Sequence, residues 1–314
     1  MLLNKSRAYE IMDKYKLDAL LAVNPRNIYY LTDFSGFNNR TQRNFYEYAL
    51  FPRKENAPAA YVTTAVELPR LSDFPTWVPN IQTYTHPVGI NNRDYDTSTE
   101  DTEAGIPINW PIRKHRNLPD REKQWLELKR KYGENVSASP LLALKKAFKD
   151  ALLDKATIGT DDPRVINWLN EAGLESIKPF EATNIFREIR MVKSPDEIKL
   201  LTKAAQINEQ GMQAAIDSVK EGVDWQDIEL NFFNKVSSLG GQGVYITAGP
   251  GGLPHQSVVS GKPIMLDSLS TYKLYHGDLG RTVIVGDPSK EVLKRNKAMI
   301  AGWEKAVEII KPGL

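Results

Sequence analysis

Apolar residues recur at helical spacing over residues 5–15, where Ala8, Ile11, Met12 and Tyr15 share one side, so a helix is expected to open the chain. Residues 18–23 form a short apolar run that the turn signal Asn24-Pro25 closes, and residues 27–32 predict a short helix or strand. Strand-like runs follow at 48–51 and 59–63, and residues 66–71 open a further helix. Helical spacing returns over 140–153 and 163–172, with short strands at 157–159 and 177–180. Alternating helices and strands predict an α/β domain over residues 1–183. The pattern breaks over about residues 91–135, where a polar, acidic stretch precedes Pro107, Pro111 and a basic run at 113–116. That stretch reads as a surface insertion with one helix near residues 122–132; the alternative is a loop that covers substrate or contacts another subunit.

A second domain is expected over residues 184–314. Ile185, Ile189 and Val192 make an amphipathic connector. Ser194, Pro195 and Glu197 have the spacing of a capping box. The helix they start is predicted to reach about Val219, with Ile198, Leu201, Ala205, Met212, Ala215 and Val219 on one face. Asp224 caps the next helix, over residues 225–239, and residues 244–247 are strand-like. The loop of Gly249, Pro250, Gly251 and Gly252 lacks the Lys-Ser/Thr ending and the following helix of a phosphate loop. Residues 264–286 then carry two apolar runs around a polar turn, and residues 290–310 predict a last amphipathic helix.

The chemistry concentrates in that two-run stretch. A two-residue turn at Tyr272 and Lys273 would set Asp267 directly opposite Asp278 on one face, with Cβ atoms roughly 4.5–5.5 Å apart. Two carboxylates so close require a proton or a cation between them. Oxygen ligands suit a hard or borderline divalent ion. Tyr-Lys is not the Asn-Gly type that two-residue hairpins favour, so this register is an expectation. On spacing alone two readings stand: a metal-binding pair, or two exposed aspartates flanking a surface turn. The apolar flanks (Ile264, Met265 and Leu266 against Val283, Ile284 and Val285) predict buried strands.

His255 reads either as a loop histidine with a local hydrogen bond or as a proton or hydrogen-bond donor to a substrate. His276, two residues before Asp278, shares its face on a strand and is either a supporting group or a packing residue. His86 and His115 have no carboxylate at a recognisable spacing and read as surface histidines.

Composition narrows the classes. A chain of 314 residues is long enough for two domains, and its net charge of +2 gives no reason to expect nucleic acid or an anionic membrane. The absence of cysteine excludes disulfides and thiolate metal sites, leaving Asp, Glu, His or water as ligands. No signal peptide and no run of about 18 apolar residues is found, which predicts a soluble, cytoplasmic protein.

On these residues the chain resembles the creatinase/methionine-aminopeptidase superfamily, metallopeptidase family M24, most closely its Xaa-Pro aminopeptidase and prolidase branch. Asp267 and Asp278 have the family's spacing, and Asp278-Leu279-Gly280-Arg281-Thr282 matches its motif ending in Arg-Thr. Leu253-Pro254-His255 looks like the family's substrate-binding histidine segment. Residues 27–32, 190–198 and 310–313 resemble the N-terminal signature, the entry to the catalytic domain and the end of its first half. The resemblance implies an α/β N-terminal creatinase-like domain followed by the first half of an α+β pita-bread catalytic domain. It implies Asp267 and Asp278 as metal ligands, Asp278 bridging, with His255 catalytic and His276, Arg281 and Thr282 supporting. Two divalent ions (Mn, Co or Zn) would activate a water against a short peptide with proline at the second position, in a homodimer.

The remaining ligands of the family, one His and two Glu, would follow Leu314, so the chain reads as incomplete at its C-terminal end and as a weak metal binder alone. Competing readings are a creatinase-like amidinohydrolase, a dimethylsulfoniopropionate lyase-like enzyme and a ligand-deficient binding module. The retained aspartate pair opposes the first. Leu269, standing where lyase relatives carry an extra Asp, opposes the second. The near-neutral charge opposes the third.

Overall fold

The computed structural model describes residues 1–43, 46–84, 118–133, 136–171, 173–248 and 257–314. His86, His115, His255 and most of the expected insertion lie outside the described residues. The chain divides into two units, Met1–Asp196 and Glu197–Leu314.

The first unit opens with α1 (Lys5–Tyr15), which Asn4 caps by accepting from the Arg7 amide and which buries Ala8, Ile11 and Met12. β1 (Ala19–Ala22) leads into α2 (Pro25–Thr32), where Asn24 caps and Pro25 takes the first helical position. There follow α3 (Phe37–Arg40), β2 (Tyr48–Pro52), β3 (Ala60–Thr64), a 3₁₀ turn (Ala65–Glu67), α4 (Leu68–Asp73) and β4 (Asn80–Tyr84). After the expected insertion come α5 (Asp120–Tyr132), α6 (Pro140–Asp150), β5 (Thr157–Thr160), α7 (Val165–Glu171), β6 (Lys178–Glu181) and α8 (Thr183–Met191). The strands form one mixed sheet in the order β4-β3-β2-β1-β5-β6. β1 runs antiparallel to β2 and parallel to β5. α6 places Ala143, Leu144, Ala147 and Phe148 in one core cluster with Leu21, Tyr48, Leu50 and Val62 of the strands.

Glu47, Glu67 and Asp162 are buried in this unit, and Asp161 is half-buried. Asp161, just past β5, accepts from the Val23 amide at 2.8 Å, the Asn24 amide at 3.1 Å and the Asn27 side chain at 2.7 Å, tying the exit of β1 and the start of α2 to β5. Glu47, only 1% exposed, accepts from the Thr63 hydroxyl at 3.2 Å. Burial, and then the nearby charge of Glu67, push its carboxyl up to about 8.

The second unit contains α9 (Pro195–Ser218, whose first two residues belong to the first unit), α10 (Trp225–Ser238), β7 (Gln242–Ala248), β8 (Pro263–Tyr272), β9 (Tyr275–Ile284) and α11 (Lys290–Ile309). β7, β8 and β9 make an antiparallel sheet in that order. Its core joins Ile207, Met212, Ala215, Trp225, Ile228, Phe232 and Val236 of the helices to Ile246, Ile264 and Leu266 of the strands.

The face expected for α9 holds at Met212 and Ala215 and is corrected toward its start. Ile198 is half exposed and Ala205 exposed, while Ala204, Ile207, Asn208, Gly211, Met212 and Ala215 are inside. Gly211 allows the close approach: a Cβ there would lie 2.6 Å from Val236 Cγ2 and 2.9 Å from the Phe232 ring. Among the described residues no helix is long and apolar enough to cross a membrane.

Candidate metal centre

β8 alternates as a half-buried strand must: Ile264, Leu266, Ser268 and Ser270 are buried, while Met265 is exposed and Asp267 and Leu269 are partly covered. The hairpin turns at Lys273 and Leu274, both with positive φ (48° and 66°). Tyr272 and Tyr275 close the ladder.

The expected register is therefore corrected. Asp267 stands opposite Gly280, and Asp278 opposite Leu269. Moving the turn by one residue shifts the pairing by two, which preserves the face and changes the spacing. The carboxylates become diagonal neighbours, about 7 Å apart, instead of directly opposed. The physical reason lies in α9. Gly277 packs so tightly against it that a Cβ would collide with the Ala204 carbonyl oxygen and lie 2.8 Å from Asn208 Cβ, so only glycine fits there. The burial expected from the apolar flanks is also corrected. One face of the hairpin is buried, but Asp278, Arg281 and Thr282 are exposed.

The register brings Asp267, Asp278, His276 and Thr282 to one face, with His276 opposite Thr271 and Thr282 opposite Met265. Arg281 falls on the other parity, opposite Leu266, and its guanidinium donates to the Gly280 carbonyl at 2.8 Å. His255 lies outside the described residues.

β7 adds what the sequence reading missed. Its ladder to β8 shifts between Gly243 and Tyr245, and this bulge puts Tyr245 opposite Leu269 and Thr247 opposite Asp267. Tyr245 thus joins the carboxylate face. Desolvation first, then the charges of Asp267 and Asp278 and a hydrogen bond to Asp267, push its phenol upward, so it remains a proton donor to Asp267. The strand itself was legible; the bulge that aims the tyrosine leaves no mark beyond Gly243.

The face offers two carboxylates and a phenol, an all-oxygen set chemically suited to divalent cations. Among the described residues there is no group of three or more Asp, Glu or His side chains that could close around a metal. The donors fit such an ion as part of a larger ligand set.

A mixed α/β unit followed by two helices and this antiparallel hairpin sheet is the architecture of prolidase-type, pita-bread proteins. The chain superposes on an X-Pro aminopeptidase from Thermotoga maritima with a TM-score of 0.65 at 17% identity, covering 97% of this chain and 73% of that one. It superposes on the prolidase from Pyrococcus horikoshii with a TM-score of 0.61 at 18% identity, covering 98% and 72%. Residues 199–314 match metallopeptidase family M24, and this stretch is an M24 domain. In sequence the chain is 25% identical over 202 residues to an Xaa-Pro dipeptidase of Pyrococcus horikoshii, covering 60% of this chain. The match spans 58% of that relative's length.

Proposed function

We propose that the chain provides Asp267 and Asp278 as ligands of a two-metal centre in an Xaa-Pro peptidase. The reading is carried by the shared open face of the two aspartates and Tyr245 within the M24 domain. Asp278 would be shared between the ions and Asp267 would bind one of them. Bound divalent ions, with Mn, Co and Zn all compatible with oxygen donors, would activate water and polarise the scissile carbonyl. Tyr245 stands beside Asp267 on the same face, where its hydroxyl would orient that carboxylate for a ligand role. His276 and Thr282 border the pair on the same face, and His255 is proposed to steady the substrate. Arg281 acts on backbone, through the Gly280 carbonyl, as a brace for β9. The substrate proposed is a short peptide with proline in second place; a homodimer in the cytoplasm is the proposed setting. The lyase-like alternative is disfavoured by Leu269, an apolar side chain opposite Asp278.

The test is manganese binding followed by electron paramagnetic resonance, on the full gene product and on its Asp278→Ala variant. Bound manganese should disappear in the variant, and an unchanged stoichiometry would sink the proposal. Hydrolysis of Xaa-Pro dipeptides against longer Xaa-Pro peptides by the full gene product then separates dipeptidase from aminopeptidase.

A further inference from the structure

We propose that Asn208 and Ser268 are positioning residues that select the register of β8 on β9 and thereby set the spacing of Asp267 and Asp278. This rests on reading the two aspartates as metal ligands. Asn208 is wholly buried on the inner face of α9. Its side-chain amide donates to Ser268 Oγ at 3.1 Å and to the Ser268 carbonyl at 3.3 Å. The Ser268 hydroxyl, also wholly buried, donates in turn to the Leu279 carbonyl at 3.2 Å. Ser268 follows Asp267 and Leu279 follows Asp278, so this relay runs from helix to β8 to β9 directly behind the two carboxylates.

Such a device is needed because the alternation of the hairpin cannot do the work. Side chains repeat with period two, so a slip by two residues leaves every side chain on its own face. That slip would set Asp278 directly opposite Asp267, at roughly 4.5–5.5 Å between Cβ atoms instead of the longer diagonal. The Lys273-Leu274 turn is a poor arbiter, since neither residue favours the left-handed conformation it adopts. What distinguishes the registers is on the buried face. A slip in either direction would carry Tyr275 or Leu279 to the place opposite Ser270 that Gly277 now fills against α9. It would also move the Leu279 carbonyl away from the Ser268 hydroxyl, which would keep Asn208 as its donor but lose its present acceptor, and losing a buried hydrogen bond disfavours that state. Asn208 anchors β8 to the helix and Ser268 anchors β9 to β8, so the native spacing is the one that satisfies both.

The experiment uses the intact chain, with Ser268→Ala and Asn208→Ala as variants. Cross-strand NMR contacts report which residue faces Asp267. Terbium serves as the metal probe, its emission sensitised by Tyr245 on the same face, with Asp278→Asn as the control that abolishes it. The expected result is a second population in which Asp278 faces Asp267, together with terbium affinity lowered about 10-fold, the usual size of an effect from groups that orient ligands. A single native register in both variants overturns the proposal, as does a slipped register that leaves terbium affinity unchanged. If the unaltered chain gives no sensitised emission while Ser268→Ala still slips, the positioning stands and the metal reading falls.

Discussion

The stability of the first unit should fall as pH rises from about 5 to 8, and Glu47 should carry most of that fall. Its carboxyl, held at about 8 in the folded unit by burial and by the charge of Glu67, has an ordinary value of 4.5. Between those two values the folded unit keeps a proton that the unfolded chain has released. The folded state therefore binds more protons, and stability declines with rising pH until the folded group also ionises, above which the curve levels. At about 1.4 kcal/mol for each pH unit across that window, the loss reaches about 5 kcal/mol. That is comparable with the whole stability of many domains, about 5–15 kcal/mol. Glu67, raised by its own burial, adds in the same direction. Glu47→Gln keeps the shape and has no proton to release. It should match the wild type near pH 5 and exceed it by about 4 kcal/mol near pH 9. Urea unfolding followed by circular dichroism at several pH values measures both. A wild-type curve flat between about pH 5 and 8, or a Gln variant that keeps the wild-type slope, would refute the reasoning.

Three further outcomes are expected. Asp161→Ala strands the Val23 and Asn24 amides and the Asn27 side chain, and should cost about 3 kcal/mol in urea unfolding of the first unit, at about 1 kcal/mol or more for each donor; a loss below about 0.5 kcal/mol contradicts this. Gly277→Ala drives a methyl into the Ala204 carbonyl and should destabilise the second unit by about 2 kcal/mol or more, read as a lower Tm by calorimetry, and an unchanged Tm rules it out. Replacing Lys273-Leu274 with Asn-Gly relieves two left-handed residues and should raise stability by about 1 kcal/mol in chemical denaturation, even though Lys273 gives up its place over the Tyr272 ring; a variant no more stable than wild type counts against the turn assignment.

Elements whose apolar spacing is strong were legible from sequence: α1, α6, α10, β2 and β8 lie close to where periodicity puts them. β4 escaped because Asn-Ile-Gln-Thr-Tyr has little apolar pattern of its own and is recruited by parallel pairing to β3. The inner face of α9 was found at Met212 and Ala215 but misplaced before them, because two of its central residues are Asn208 and Gly211. A polar residue and a glycine read as solvent-facing, while here one is hydrogen-bonded inside and the other makes room for α10. The same limit governs the aspartates. Alternation correctly assigned Asp267 and Asp278 to one face, but spacing along the strands depends on tertiary contacts that sequence alternation does not encode.

The left-handed turn between β8 and β9 also has a kinetic side. A hairpin whose loop resists closing is a poor nucleus, so these strands are expected to zip late, after α9 and α10 have packed. The bond between Asn208 and Ser268 spans 60 residues, a long loop to close before it rewards the chain, and such distant contacts slow folding. Substitutions in the α9–α10 contact, such as Phe232→Leu, should therefore slow folding, whereas those at Lys273 and Leu274 should act on unfolding. During that interval the backbone of β9 is open to strands of other chains, and the charges of Asp278 and Arg281 then act as gatekeepers against aggregation while the sheet is still unmade.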